Sequence, residues 1–104
     1  MIKLQRIKSA KVRAYARGQR CTMCLPGVCK GRVDTVVLCH LPGGGMGGKA
    51  DDIGEAFFAC YECHGVFDHR IPADDFDVET LMWHARRAVQ RTLRILWRDG
   101  VIHD

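Results

Sequence analysis

The stretch Cys60-Tyr61-Glu62-Cys63-His64-Gly65-Val66-Phe67-Asp68-His69-Arg70 gathers a C-x2-C pair, two histidines, an aspartate and an arginine into eleven residues. Thiolates, imidazoles and carboxylates bind metal ions, and imidazole also moves protons near neutral pH. Upstream, Cys21, Cys24 and Cys29 flank a Pro26-Gly27 turn that can reverse the chain. Two of these thiols with Cys60 and Cys63 would give four soft ligands from two distant segments, which suits tetrahedral Zn2+. Spacing alone favours the tight Cys21-Cys24 pair for the proximal half, with Cys29 as the alternative. A structural zinc contributes on the order of 10 kcal/mol or more to folding, which suits a short chain with a thin core.

Two other uses of these letters are weaker. Cys60 to His64 spells the C-x-x-C-H haem attachment signature. Haem would require export and a distal ligand such as Met82, and would leave three other cysteines idle. A redox pair of thioredoxin type lacks a βαβ frame before it. With zinc holding the thiols, His40 and His64 remain. One imidazole to hold a hard cation such as Mg2+ or Mn2+ and one to activate water are the equipment of a phosphodiesterase. His40 alone would read as a hydrogen-bonded residue at a strand end; its pairing with His64 carries the argument.

The elements that must position these groups are short. Residues 1-20 carry seven Lys and Arg and place Leu4, Ile7, Val12, Tyr15 and Ala16 at helical spacing, giving an amphipathic helix that ends at Gly18 or a basic arm. Thr35 to Leu41 predicts a strand ending on His40, and Ala56 to Cys60 a second one. Between them, residues 42-54 hold six of the eleven glycines. This is not a phosphate-cradling P-loop, because Ala50 stands where Ser or Thr would follow Lys49. Tyr61 to Arg70 predicts a short helix stopped before Pro72. From Asp77, a sensible N-cap, to Gly100, a sensible stop, Leu81, Ala85, Ala88, Val89, Thr92, Leu93 and Leu96 form the apolar stripe of a long helix. Arg86, Arg87, Arg91, Arg94 and Arg98 cover its other side.

The 104 residues fit one domain, 1-104, with no linker or repeat. Its net charge of +4 hides a division. Residues 1-33 hold nine basic side chains and no acid, residues 34-80 two basic and ten acidic, and residues 81-104 five basic and two acidic. Basic flanks around an acidic centre suit a polyanion held at its phosphates with a cation in the middle. The longest uncharged stretches fall well short of a membrane span, and the charged start is unlike an export signal. A cytoplasmic chain is expected, where cysteines serve as metal ligands or free thiols.

The order Cys...Cys, a strand ending in His, a Gly-rich loop, an acidic position before an apolar residue, then C-x2-C-H resembles the HNH nucleases with a zinc-binding cysteine tetrad. Through CLPGVC, VLCHL, GGGMG, CYECHGVFDHR and the terminal DGVI, the chain most resembles the small phage and prophage nucleases typified by YbcO. It is similar more loosely to the phage RecA-dependent nuclease Ref. The resemblance implies an α+β fold: a zinc-stapled ββα-metal core over 21-70, a basic segment over 1-20 and a helix over 77-99. It implies Cys21, Cys29, Cys60 and Cys63 as zinc ligands, with Cys24 as the spare thiol, His40 as general base and His64 as a ligand of the catalytic ion. Two departures stand out. Cys39 occupies a position where the pattern commonly has a metal-binding Asp, and Asp51-Asp52-Ile53 stands where many members have the asparagine that orients the base. Asp68 or His69 is the candidate to complete the ion site, with Asp68 the first choice, and Arg70 the candidate to contact the phosphate. Arg17, Arg20, Lys30, Arg32 and Lys49 are the candidate DNA contacts.

The expected function is therefore a metal-dependent DNA endonuclease of phage or prophage type, with a recombination protein among its candidate partners. The alternative is a zinc module without catalysis that binds nucleic acid or a recombination or replication protein.

Overall fold

The computed structural model describes residues 7-42 and 50-103. Lys49, most of the glycine-rich loop and the start of the basic segment lie outside the described residues. Helix α1 spans Ala10–Tyr15, with Ser9 as its N-cap accepting from the Val12 amide at 3.2 Å. Strands β1 (Val37–His40) and β2 (Ala56–Ala59) pair antiparallel in the register Val37↔Ala59 to His40↔Ala56. Helix α2 (Tyr61–Phe67) follows β2 directly, and α3 (Val78–Arg98) closes the fold. This is a small α+β structure with one two-stranded sheet among its described residues.

Every residue of β2 is buried, because α2 and α3 both pack on it and successive side chains point to opposite faces. Phe57 meets Phe67 of α2 edge to face at 5.5 Å between ring centroids. The edge of β2 away from β1 would leave the Phe58 amide and carbonyl unpaired in the core. Thr22 and Thr92 satisfy them: the Thr22 amide and hydroxyl donate to the Phe58 carbonyl at 2.8 and 2.9 Å, and the Phe58 amide reaches both threonine hydroxyls at 3.2 Å. One buried polar cluster thus ties the first cysteine loop, the sheet and α3 together.

The long helix has the caps read from the sequence. Asp77 accepts from the Thr80 amide at 2.7 Å, and Gly100 takes φ +72, the left-handed conformation that stops a helix. Leu81, Ala85, Ala88, Val89, Thr92 and Leu96 are its buried residues, and its five arginines are exposed. The expected helix over 61-70 ends earlier, at Phe67. The Arg70 and Ile71 amides both turn back to the Gly65 carbonyl, with His69 at φ 62 making the reversal. No helix among the described residues is long and apolar enough to cross a membrane.

Candidate functional site

Cys60 precedes α2 as its N-cap, accepting from the Cys63 amide at 3.5 Å, so one helical turn holds two thiols side by side. The loop after Cys21 brings Cys21 and Cys29 to them, and the four sulfurs all lie within 4.8 Å of one another. Zn–S bonds of about 2.3 Å in a tetrahedron require sulfurs about 3.8 Å apart, and Cys60 and Cys29 stand at 3.9 Å. The donor set is all thiol and mostly buried, so these four residues can hold a metal ion such as zinc. A hydrogen bond with Cys63 pulls the Cys21 thiol down to about 4, while the same bond, together with burial, pushes Cys63 up. Burial pushes Cys29 up to about 11. Thiols this crowded resist joint deprotonation, and a bound dication removes that resistance.

Cys24 stays out of the cluster. Its backbone sits at φ 49, its side chain is exposed, and its sulfur donates to the Cys21 carbonyl at 2.9 Å. The wider Cys21-Cys29 pair therefore supplies the proximal half, and the tight pair favoured by spacing alone does not.

A second group lies one turn along α2. His64 and Asp68, four residues apart, share a helix face, and Nε2 stands 2.9 Å from Oδ2. The Cys39 sulfur joins them from β1, with the three donor atoms within 4.8 Å of one another. Cys39 is buried, and burial followed by the negative charge of Asp68 pushes its thiol up. Arg70 lies beside this group, its Nε 3.9 Å from Asp68 and its guanidinium 5.5 Å over the Tyr61 ring.

His40, the next residue after Cys39, has a different partner. Its Nε2 is 2.7 Å from Oδ1 of Asp52, whose side chain is wholly buried. Asp52 also accepts the Ser9 amide at 2.7 Å and Arg13 Nε at 2.9 Å. Burial alone would push the Asp52 carboxyl up, but the bonds from His40, Ser9 and Arg13 outweigh it and hold the group down at about 2. A carboxylate only accepts, so Nε2 of His40 carries a proton toward it, and the neutral imidazole then has its lone pair on Nδ1. The imidazole is 29% exposed, enough to meet a substrate or water. The Asp52 loop is fixed in turn by Asp51, which accepts the Ile7 amide at 2.8 Å, and by the Asp52 amide, which donates to the Ile7 carbonyl at 2.8 Å.

Arg17, Arg20, Lys30 and Arg32 are all exposed. Arg32 is already engaged by Asp34 at 2.7 Å, so a phosphate would have to compete with that carboxylate. The residues that sequence reasoning missed are Arg13 and Ser9, which lie in the segment read as an amphipathic helix or a basic arm and carry no signal of a contact with Asp52. Cys39 was noticed as a departure and not as a member of the His64 group.

Residues 10-101 match the family described as "Putative nuclease YbcO". Two proteins called putative nuclease YbcO, one from Escherichia coli strain K12 and one from Enterobacteria phage 82, are each 35% identical to this chain over 96 residues, covering 89% of it and 97% of themselves. The solved structure of a putative bacteriophage protein from Escherichia coli K-12 MG1655 superposes with a TM-score of 0.70 at 33% identity, over 86% of this chain and 100% of that one.

Proposed function

This chain belongs to the YbcO family, and on that footing we propose that it is a metal-dependent DNA endonuclease with a ββα-metal core. The observation that carries the reading is the His40–Asp52 pair at 2.7 Å, set one residue along β1 from a cluster of metal-binding side chains. His40 takes the proton of the attacking water at Nδ1, while Asp52 holds the ring by its Nε2–H and stabilises the imidazolium that forms. His64 and Asp68 would hold a divalent ion, which would supply positive charge to stabilise the phosphate and the leaving oxygen. Arg70 donates to the phosphate oxygens from beside Asp68. Cys21, Cys29, Cys60 and Cys63 hold a structural zinc that fixes the start of α2. Arg17, Arg20, Lys30 and Arg32, with Lys49, grip the strands through their phosphates without reading bases.

Incubation of supercoiled plasmid with the protein and divalent ions tests the reading. Nicking is expected with the wild type and its loss with His40→Ala. Equal cleavage by both would sink the mechanism. DNA binding without cleavage by a zinc-loaded protein would instead establish a non-catalytic zinc module.

A further inference from the structure

We propose that Cys39 is the third protein ligand of the ion held by His64 and Asp68, and that the site therefore takes a borderline-soft dication of the zinc, cobalt or iron(II) class in preference to Mg2+. The inference rests on the nuclease reading and adds the identity of the ion.

The three donors come from two elements with fixed geometry. His64 and Asp68 project from one face of α2, and Cys39 points inward from β1, where it is 1% exposed. Metal–ligand bonds of about 2.0 to 2.3 Å place the donors of a tetrahedral ion about 3.5 Å apart. The present separations, none above 4.8 Å and the His64–Asp68 pair at 2.9 Å, reach that value with small side-chain adjustments. One sulfur, one nitrogen and one oxygen would occupy three corners and leave the fourth for water or a phosphate oxygen, as in catalytic zinc sites.

This donor set is poorly suited to Mg2+. That ion takes six oxygens in a near-ideal octahedron, keeps several waters and gains little from a thiolate. Soft thiolate and imidazole ligands favour the later first-row dications. On binding, the Cys39 thiol releases its proton to solvent and its sulfur donates to the metal, so uptake is accompanied by loss of a proton. The exposed Cys24, directed at the Cys21 carbonyl, is the internal comparison: a thiol in the same chain with no place in either group.

The test uses the full chain loaded with one equivalent of Zn2+ in the four-cysteine site, then titrated with Co2+ and, separately, with Mg2+. A thiolate bound to Co2+ gives a charge-transfer band in the near ultraviolet. The band is expected in the wild type and in Cys24→Ser, and is expected to vanish in Cys39→Ser. Exchange of Co2+ into the four-cysteine site would produce the same band in Cys39→Ser, so the difference between the two proteins reports Cys39 alone. Calorimetry should show Co2+ affinity falling in Cys39→Ser by at least the roughly 10- to 100-fold that loss of an outer-shell partner of a metal ligand costs. Cys39→Asp should raise Mg2+ affinity relative to Co2+. Zinc content and circular dichroism confirm that the variants are folded, with Cys39→Ala as the second variant should serine disturb packing. A second ion that binds wild type and Cys39→Ser with the same spectrum and affinity overturns the inference while leaving the nuclease reading intact. Absence of any second ion in the wild type overturns both.

Discussion

Arg13 and His40 share one buried carboxylate: Arg13 donates Nε to Oδ2 of Asp52 at 2.9 Å and Nη2 to Oδ1 at 3.3 Å, and Oδ1 is also the oxygen that His40 Nε2 reaches at 2.7 Å. Helix α1 is thereby joined, through a carboxylate 39 residues along the chain from Arg13, to the proposed general base. Asp52→Asn should lower kcat by roughly 10- to 100-fold with little change in KM, between the wild type and the loss of about 10²- to 10⁴-fold expected for His40→Ala. Single-turnover cleavage separates the two parameters. A rise in KM alone would assign Asp52 to DNA binding and not to the base.

The same carboxylate makes stability depend on acid. Its folded-state pKa of about 2 lies below the ordinary value of 3.8, so its contribution is fully present above about pH 4 and is lost as pH falls through about 2. The shift corresponds to about 2 kcal/mol, in order of magnitude. Urea unfolding of wild type and Asp52→Asn should differ by roughly that amount at neutral pH, and the curves should begin to converge below about pH 4. A difference independent of pH would show that the charge of Asp52 is not what stabilises the fold.

Removal of one thiol separates the cluster from its neighbour. If the four thiols hold the proposed zinc, Cys29→Ser should lose it and, with it, most of the cooperative unfolding transition, because metal binding and folding are one equilibrium in small metal-stapled chains. Cys24→Ser should keep one zinc per molecule by elemental analysis. Retention of metal by Cys29→Ser with loss in Cys24→Ser would reverse the assignment.

Gly65 leaves no room for a side chain. A Cβ there would lie 2.4 Å from Cδ1 and 2.7 Å from Cγ1 of Ile71. Gly65→Ala should destabilise by about 1 to 3 kcal/mol despite alanine's better helix propensity, because Ile71 must move and the reversal that carries Arg70 moves with it. Thermal melts of the zinc-loaded protein read the effect, and an unchanged or higher Tm would show that the turn is loose.

The basic surface is testable through salt. Arg17→Ala with Arg20→Ala should flatten the slope of log affinity against log salt by about 2, near 0.9 for each phosphate no longer neutralised. Arg32→Ala should change it less, because Asp34 already engages that guanidinium. Filter binding at several salt concentrations gives the slopes. Equal slopes for all three proteins would move the DNA elsewhere, with the arginine side of α3 the next surface to test.

Much of this arrangement was legible in the residue order, and the exceptions share a physical cause. The period of α3, its Asp77 cap and its Gly100 stop are local signals, and the helix appears within one residue of where they put it. The two strands likewise announce themselves by β-branched and aromatic residues next to their histidine and cysteine. The choice between Cys24 and Cys29 depends on a left-handed backbone at Cys24, which a non-glycine residue does not advertise. The Arg13–Asp52–His40 chain and the approach of Cys39 to His64 are products of tertiary packing between segments far apart in sequence. Residue types alone gave those contacts no address.

Cys60 of the four-thiol group caps the start of helix α2, His64 of the second group lies within it and Asp68 caps its end. Seven residues are too few to sustain a helix in isolation, so its order must be contributed from outside. On the proposed reading, whichever ion arrived first would bear part of the entropic cost of that ordering and the second would bind more tightly, each strengthening the hold of the other by reciprocity. The two proposed centres would then form a single thermodynamic unit, in which depleting the ion of the thiol site weakens the other without touching any of its ligands.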